Sequence, residues 1–154
     1  MTNFPDETSQ NSIHNEAASV YPVSPVPSDA HLEDGELPFT AFGQFGPDSL
    51  DIRVFEQDVY WVNTQGEPFR LDEMSHEYRL NVINFLFNDA EHMYITMLKK
   101  YALTIIREVQ KSGTGPLPLD HPLMVAAVSL NEKNPVEWLN STPLVKRLSE
   151  LLGW

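Results

Sequence analysis

Two short segments of the sequence place a nucleophile or an acid beside a histidine, a combination used in hydrolysis and group transfer. Ser75 and His76 closely follow Asp72. Further along the chain, Asp120 directly precedes His121. Catalysis by such groups needs a nucleophile, a base and an orienting acid in contact. Ser75 lacks a G-x-S-x-G turn, and the adjacent side chains of Asp120 and His121 project in different directions, so we predict no catalytic residues and expect that the protein is not an enzyme.

Patterns for metal ligands and phosphate-binding loops are also missing from the sequence. The chain contains no cysteine, which excludes disulfides, thiol nucleophiles and cysteine-ligated metals. None of its five histidines lies four residues from another, the spacing of a zinc-binding pair on a helix. Asp89 and His92 share a helical face, but two ligands do not form a metal site. In residues 111–115 the lysine precedes the glycines, the reverse of a phosphate loop, so we expect neither a metal nor a cofactor.

The formal net charge of −12 is concentrated in the first part of the chain. Residues 1–58 contain eleven Asp and Glu and one basic residue, Arg53, for a charge of −10, whereas residues 59–154 carry −2. This charge repels DNA, RNA and anionic lipid, so we expect no direct nucleic-acid binding and no membrane binding. A DNA mimic needs carboxylates held in a rigid array at phosphate spacing, and only the charge itself favours that function here.

Residues 1–50 have the composition of a disordered, acidic, proline-rich tail. They contain six of the twelve prolines, and the X-Pro steps of residues 21–28 favour extended backbone. Their apolar residues cluster in 37–45, where Phe39, Phe42 and Phe45 recur every third residue. The cluster is either an arm whose rings lie on the folded domain or a short linear motif that orders on a protein partner. We predict these three phenylalanines as partner-binding residues.

Residues 51–71 are rich in β-branched and aromatic side chains and predict a small sheet. Residues 63–66 form the better of two turn candidates, because Gly66 tolerates positive φ and Asn63 can bond its own backbone. The other candidate turn lies at residues 56–58. Since an isolated hairpin is only marginally stable, we expect its apolar face to pack on the helical segment that follows.

A long helical period begins after Ser75, which we predict as a helix N-cap. Apolar residues recur at helical spacing from Tyr78 to Val109, and Gly113 marks the end of the pattern. Asp89 lies where it could cap a second helix, so the sequence leaves open whether residues 76–111 form one helix or two. The Met and Tyr residues of this stripe predict core packing rather than a cofactor site.

Three short helices are predicted after a linker at residues 113–118. Each begins with a proline, and Asn134 and Thr142 are predicted caps for the second and third. The last helix has a leucine face that could serve its own core or a second copy of the chain. We predict Trp138 and Trp154 as further partner-binding residues, because exposed aromatic residues often anchor interfaces. Packing within the molecule is the alternative for each tryptophan.

These elements predict a mostly helical α+β fold, with a small antiparallel sheet packed on a long helix or helix pair and short C-terminal helices. We expect residues 1–50 to be the disordered tail and 51–154 to form a single compact domain, because about 100 residues suffice for independent folding. No stretch approaches the roughly 18 apolar residues of a membrane span, and residues 1–7 lack the pattern of a signal peptide. We therefore expect a cytoplasmic protein.

Two runs of the chain resemble a known group of proteins. Residues 54–62 read Val-Phe-Glu-Gln-Asp-Val-Tyr-Trp-Val, and matching positions follow at Gly66, Pro68, Arg70, Leu71, Met74, Tyr78, Asn81, Val82 and Leu86. Near the other end, Pro-Val-Glu-Trp-Leu at 135–139 is followed by Ser-Thr-Pro-Leu-Val at 141–145. Over residues 51–154 the chain is similar to small uncharacterised proteins of actinobacteria and their bacteriophages. The resemblance implies a phage or prophage setting inside a bacterial host cell, and it brings no catalytic residues with it.

We therefore expect a phage-type protein-interaction module that binds a host protein and so counteracts a host defence or modulates host physiology. Small dispensable phage proteins often act in this way, which is what the resemblance implies. Three alternatives belong to other classes. They are an acidic nucleic-acid mimic that blocks a DNA-binding protein, a protein that sequesters a small ligand, and a self-assembling structural protein.

Overall fold

A computed structural model describes residues 25–41 and 50–154 of the chain. Its α-helices are α1 (His76–Asn88), α2 (Ala90–Ser112), α3 (Pro122–Asn131), α4 (Pro135–Ser141) and α5 (Pro143–Leu152). Strands β1 (Tyr60–Val62) and β2 (Pro68–Arg70) form an antiparallel sheet. Short 3-10 helices lie at Pro27–His31, Ile52–Glu56 and Leu71–Glu73. The predicted fold class, a mostly helical α+β protein with a small sheet, is confirmed.

The chain divides into two compact units. The described residues of the first, which we call the sheet unit, are 25–41, 50–88 and 142–154. The second is Asp89–Ser141, which contains α2, α3 and α4 and is called the helical unit. The sequence predicts one compact domain over 51–154, whereas the structure shares this range between two units. The sheet unit also includes residues 25–41, which the sequence analysis assigns to the tail.

The hairpin forms as the sequence predicts. Its register places Trp61 opposite Phe69. In the connecting turn, Asn63 Oδ1 accepts a hydrogen bond from the backbone N–H of Gln65 at 3.0 Å. Gly66 has a φ of 79°, in the left-handed region that glycine adopts without a Cβ penalty. The turn at residues 63–66 is therefore confirmed, and local side-chain chemistry explains it.

The segment before β1 differs from the prediction, because Ile52–Glu56 is a 3-10 helix and not a strand. The Asp51 carboxylate starts this helix by accepting a hydrogen bond from the N–H of Arg53 at 2.9 Å. The buried Gln57 amide follows it: Nε2 donates to the carbonyl of Tyr60 at 2.7 Å, and Oε1 accepts from the N–H of Tyr60 at 2.8 Å. Side-chain hydrogen bonds thus satisfy backbone groups that a neighbouring strand would otherwise pair.

The sheet packs on α1, as predicted. The ring of Phe69 meets the ring of Tyr78 edge-on at 5.3 Å, and the Trp61 and Phe85 ring centroids lie 6.3 Å apart. Helix α5 contacts α1 and the 3-10 helix that precedes β1. Burying each large apolar side chain contributes about 1.5–3 kcal/mol. The leucine face of α5 serves this core, because its apolar residues are buried here: Leu144, Val145, Leu148 and Leu152.

Residues 76–111 form two helices, which decides the point that the sequence left open. Asp89 occupies the N-cap position of α2, the place that the sequence analysis considered for it, but its side chain makes no capping hydrogen bond. Two other predicted ends are confirmed. Ser75 Oγ accepts a hydrogen bond from the N–H of Tyr78 at 3.1 Å, and α2 ends at Gly113 with a φ of 65°.

In the helical unit, α3 and α4 both pack against α2. The Tyr94 hydroxyl donates to the carbonyl of Lys133 at 2.5 Å, and its ring centroid lies 6.0 Å from that of Trp138. Helix α4 begins with a capping box, in which Asn134 Oδ1 accepts from the N–H of Glu137 at 2.8 Å and the Asn134 N–H donates to Glu137 Oε1 at 3.0 Å. These contacts fix the three helices of this unit together.

A buried arginine holds residues 25–41 in the sheet unit. The side chain of Arg53 is 4% exposed, with Nη1 2.9 Å from Asp29 Oδ1 and Nη2 2.8 Å from Asp51 Oδ2. Nη1 also donates to the carbonyl of Leu37 at 2.9 Å, and the guanidinium carbon lies 5.9 Å from the centre of the Phe39 ring. We call these five residues the Arg53 cluster. Part of the predicted tail is therefore an arm that packs on the fold.

The charge of Arg53 is stabilised by the acids around it. Burial alone would lower the pKa of Arg53, but the hydrogen bond and charge of Asp51, together with Glu36 and Asp29, raise it above its ordinary value. The positive form is therefore strongly favoured in the folded protein. Removing the guanidinium would leave the largely buried carboxylates of Asp29 and Asp51 without this cation.

Replacing Arg53 by methionine is expected to lower the free energy of unfolding by about 3–5 kcal/mol, because breaking a buried ion pair leaves an uncompensated charge. Urea unfolding followed by circular dichroism measures this loss. Arg147→Met is the matched control, since Arg147 pairs with the exposed Glu150 and such surface pairs contribute about 0–1 kcal/mol. Similar losses for the two variants would contradict the structural role of the Arg53 cluster.

Candidate functional site

The predicted partner-binding aromatics do not form one described surface. Phe42 and Phe45 lie outside the described residues. Phe39 is 3% exposed and belongs to the Arg53 cluster, which is the arm alternative of the sequence analysis. Trp138 is 5% exposed in the core of the helical unit. Trp154 of the sheet unit is 70% exposed, so it alone among the described candidates presents its ring at the surface.

The serine and histidine considered for catalysis serve as helix caps. Ser75 Oγ starts α1, and His121 Nδ1 accepts a hydrogen bond from the N–H of Leu123 at 3.1 Å to start α3. A cap of this kind satisfies an N–H that the helix itself leaves unpaired. Across residues 25–41 and 50–154, no group of three His, Asp or Glu is placed to hold a metal ion.

A polar cleft of about 340 Å³ opens in the sheet unit beside α5. Two salt bridges line it. Arg70 Nε and Nη2 each donate to one oxygen of Asp72 at 3.1 Å, and Arg147 Nη1 lies 3.0 Å from Glu150 Oε1. Asp58 adds a third carboxylate to the lining. We call this the charged cleft. The sequence does not predict the charged cleft, because its two arginines are 77 positions apart in the sequence and no motif links them.

The salt bridges of the charged cleft are exposed and therefore weak. The hydrogen bond from Arg70 is the main cause that lowers the pKa of Asp72, and the charge of Arg147 adds a smaller effect in the same direction. The side chains of Arg70 and Asp72 are 41% and 45% exposed. Exposed pairs of this kind contribute about 0–1 kcal/mol. A charged group of a partner could replace either member at small cost, so the cleft is suited to polar recognition.

Large apolar side chains are exposed mainly on the helical unit. Seven of the ten such residues among the described parts of the chain lie there, although this unit has fewer than half of the described residues. The seven are Ile95, Leu103, Ile106, Leu119, Val125, Val128 and Val136. Scattered exposed apolar residues are normal, whereas apolar residues that share one face of a helix form a larger apolar area.

Helix α2 contributes three of these residues. Its buried face includes Met93 and Met97, whereas Ile95, Leu103 and Ile106 are 42%, 57% and 51% exposed. Ile106 belongs to the apolar helical period that the sequence shows between Tyr78 and Val109, but its side chain is exposed. The signal was present in the sequence, because apolar residues cover more of α2 than the single face that a neighbouring helix can bury.

Comparisons with protein-family models, curated proteins and solved structures found no match to this chain. The resemblance to actinobacterial and phage proteins therefore stays a prediction from the sequence. Among the helices of the described ranges, none has the length and apolar character needed to cross a bilayer.

Asp72 is expected to titrate below the ordinary range of an aspartate, and Arg70→Gln is expected to raise its pKa towards that range. Because the folded pKa is lowered, the stabilisation from this pair is present above the unfolded pKa and is lost as the pH falls through the folded value. Titration of the Asp72 carboxyl carbon by NMR tests this. Arg147→Gln is the control and should produce a smaller rise, since it acts on Asp72 only through its charge. An unchanged Asp72 titration in Arg70→Gln would contradict the geometry of the cleft.

Proposed function

We propose that this chain is a protein-interaction module of phage type that binds a host protein. The observation that carries the proposal is the concentration of exposed apolar side chains on the helical unit. On α3, Val125 and Val128 are 56% and 52% exposed and stand three residues apart on the outer face, and Val136 of α4 is 50% exposed. We call Val125 and Val128 the α3 valine patch.

The α3 valine patch has the chemistry of a protein-binding surface. Exposed valines gain free energy when a partner removes them from water, about 25 cal/mol for each Å² of apolar area. Helix α3 has no Asp, Glu, Lys or Arg from Pro122 to Asn131, so a partner need not desolvate a charge of this helix. Charged residues are depleted in the centres of known interfaces for the same reason.

A DNA mimic is less well supported by the arrangement of the acids. Arg53 lies within 3.9 Å of carboxylate oxygens of Asp29, Glu36 and Asp51. These three acids belong to the acidic first part of the chain, and their charge is directed inward to a buried cation. They are therefore unavailable for an outward array at phosphate spacing.

The setting in a bacterial host comes from the sequence resemblance. In that setting the partner would be a host protein with an apolar groove or patch, and binding would block or redirect the host protein. The charged cleft of the sheet unit offers polar groups to the same class of partner. Regulation by binding needs no catalytic residues in this chain, which agrees with the expectation that it is not an enzyme.

The test is affinity capture from an actinobacterial lysate with the tagged full chain. The double variant Val125→Asp, Val128→Asp is expected to lose at least one host protein that the unaltered chain retains. Recovery of that protein should fall about tenfold or more, because each aspartate must be desolvated at the contact. Quantitative mass spectrometry of the retained proteins measures the change.

Leu37→Asp is the matched control, since Leu37 is 65% exposed in the sheet unit. This variant keeps the backbone carbonyl that Arg53 uses and should retain the same host proteins. Full chains are used throughout, because truncation at Asp51 would remove Asp29 from the Arg53 cluster. Capture that is identical for the double variant and the unaltered chain would sink the proposal.

A further inference from the structure

The outer face of α2 has the spacing of a helix-pairing seam. Counting along this face, the residues stand alternately three and four positions apart, beginning with three, which is the heptad spacing of two packed helices. The seam, which we call the outer stripe, runs over residues 92–109 and contains His92, Ile95, Lys99, Ala102, Ile106 and Val109. At 1.5 Å per residue it is about 26 Å long.

The outer stripe lies at the surface. Its first five positions are exposed and Val109 is half-buried. Leu98, Ile105 and Leu103 flank it with further apolar area. The opposite face of α2 is the one that packs within the helical unit, through residues such as Met93, Tyr94, Met97 and Thr104. Helix α2 therefore carries two seams, of which one is used inside the unit.

The outer stripe is complementary to itself when two copies of α2 run antiparallel. In the register centred between Lys100 and Tyr101, Ile95 faces Ile106 of the second copy, and by symmetry Ile106 faces Ile95. Lys99 then faces Ala102 of the second copy, so a long side chain lies over a short one. His92 faces Val109 in the outermost layers. Every position of the seam finds a partner of compatible size.

A parallel pair would be much poorer. It would stack Lys99 on Lys99 of the second copy in the middle of the seam, which places two like charges in contact. It would also align the two helix dipoles side by side in the same direction. A single lysine at a seam position is known to specify register and oligomer state at some cost in stability. The sequence of the stripe thus selects the antiparallel arrangement.

Net charge opposes a contact through α2 less than a contact through the acidic parts of the chain. The whole chain carries −12, so two copies repel each other over most of their surface. Helix α2 is an exception, because its four basic and two acidic residues give it +2. Contact through α2 avoids the larger acidic repulsion, and the weak repulsion between the two +2 helices is screened by salt. The matched register of the outer stripe is the argument for a second copy as the occupant.

We propose that α2 pairs antiparallel with α2 of a second copy of this chain, so that the protein is in equilibrium between a monomer and a dimer of two-fold symmetry. A two-helix contact of this length lies at the low end of specific interfaces, below about 1,200 Å² of total buried area. The dimer is accordingly weak and forms as the protein concentration rises. This inference goes beyond the binding of a host protein and uses a different face of the helical unit.

The first measurement is sedimentation equilibrium of the full chain over a wide range of protein concentration. The salt concentration is chosen to screen the net charge. The dissociation constant of the dimer is expected to rise about tenfold or more in Ile95→Asp, since each substitution affects two symmetric layers. Leu119→Asp is the control, because Leu119 is 83% exposed and precedes α3, away from the stripe. Circular dichroism verifies that both variants are folded.

Cysteine crosslinking tests the register independently, and the chain has no cysteine of its own to interfere. A mixture of Ile95→Cys chains and Ile106→Cys chains is expected to form a disulfide-linked dimer on mild oxidation. Either variant alone is not, because in the antiparallel register its two cysteines lie about 16 Å apart along the helix axis. The cysteine variants are single substitutions of exposed residues and are expected to fold. They therefore still test the proposal if Ile95→Asp fails to fold.

Each outcome decides the proposal. Concentration-dependent dimers with crosslinking in the mixture alone would support it. A chain that stays monomeric at every concentration overturns it, as does equal crosslinking of each variant by itself, which means parallel or non-specific contact. A monomer that still captures a host protein through the α3 valine patch would leave the proposed function standing while rejecting the dimer.

Discussion

Burying a guanidinium costs free energy unless its donors are paired, and Arg53 pairs its donors with groups from two distant parts of the chain. Asp51 is its neighbour in sequence, whereas Asp29 and the carbonyl of Leu37 come from the segment 25–41. This segment contributes few apolar residues to the core, chiefly Val26, Phe39 and Ala41. Polar contacts to one cation therefore make a large contribution to holding this segment on the sheet unit.

The Arg53 cluster also shows that several acids of the first part of the chain are paired rather than solvated. Net charge over residues 1–58 suggests an evenly acidic tail, but in the structure several of those acids fold inward. Ser28 adds a second attachment of the same segment, since its backbone N–H donates to Glu56 Oε1 at 2.9 Å. The arm thus depends on the carboxylates that its composition first associates with disorder. Charge counted along a sequence does not distinguish a solvated acid from a paired one.

Sequence reasoning was reliable where the cause of a structure is local. Asn63 and Gly66 specify their turn, and the caps at Ser75, Asn134 and Thr142 specify helix starts, because each acts on backbone groups within a few residues. It failed where partners are far apart in the chain. The contact of Arg53 with Asp29 and the lining of the charged cleft depend on tertiary folding, and nothing in the local pattern marks them. The break at Asp89 is intermediate: its position is visible in the sequence, but the sequence does not decide between one helix and two.

Helix α2 shows why periodicity alone could not separate core from surface. A single stripe of apolar residues predicts one buried face, yet α2 has apolar residues on two faces and the helical unit buries only one. A unit as small as Asp89–Ser141 buries a smaller fraction of its surface than a large domain does, so it cannot cover every apolar side chain that its helices carry. Large exposed apolar areas lower solubility unless a contact covers them. The apolar side chains that this unit leaves outside its core are therefore the ones on which both proposals, binding of a partner through α3 and self-pairing through α2, are based.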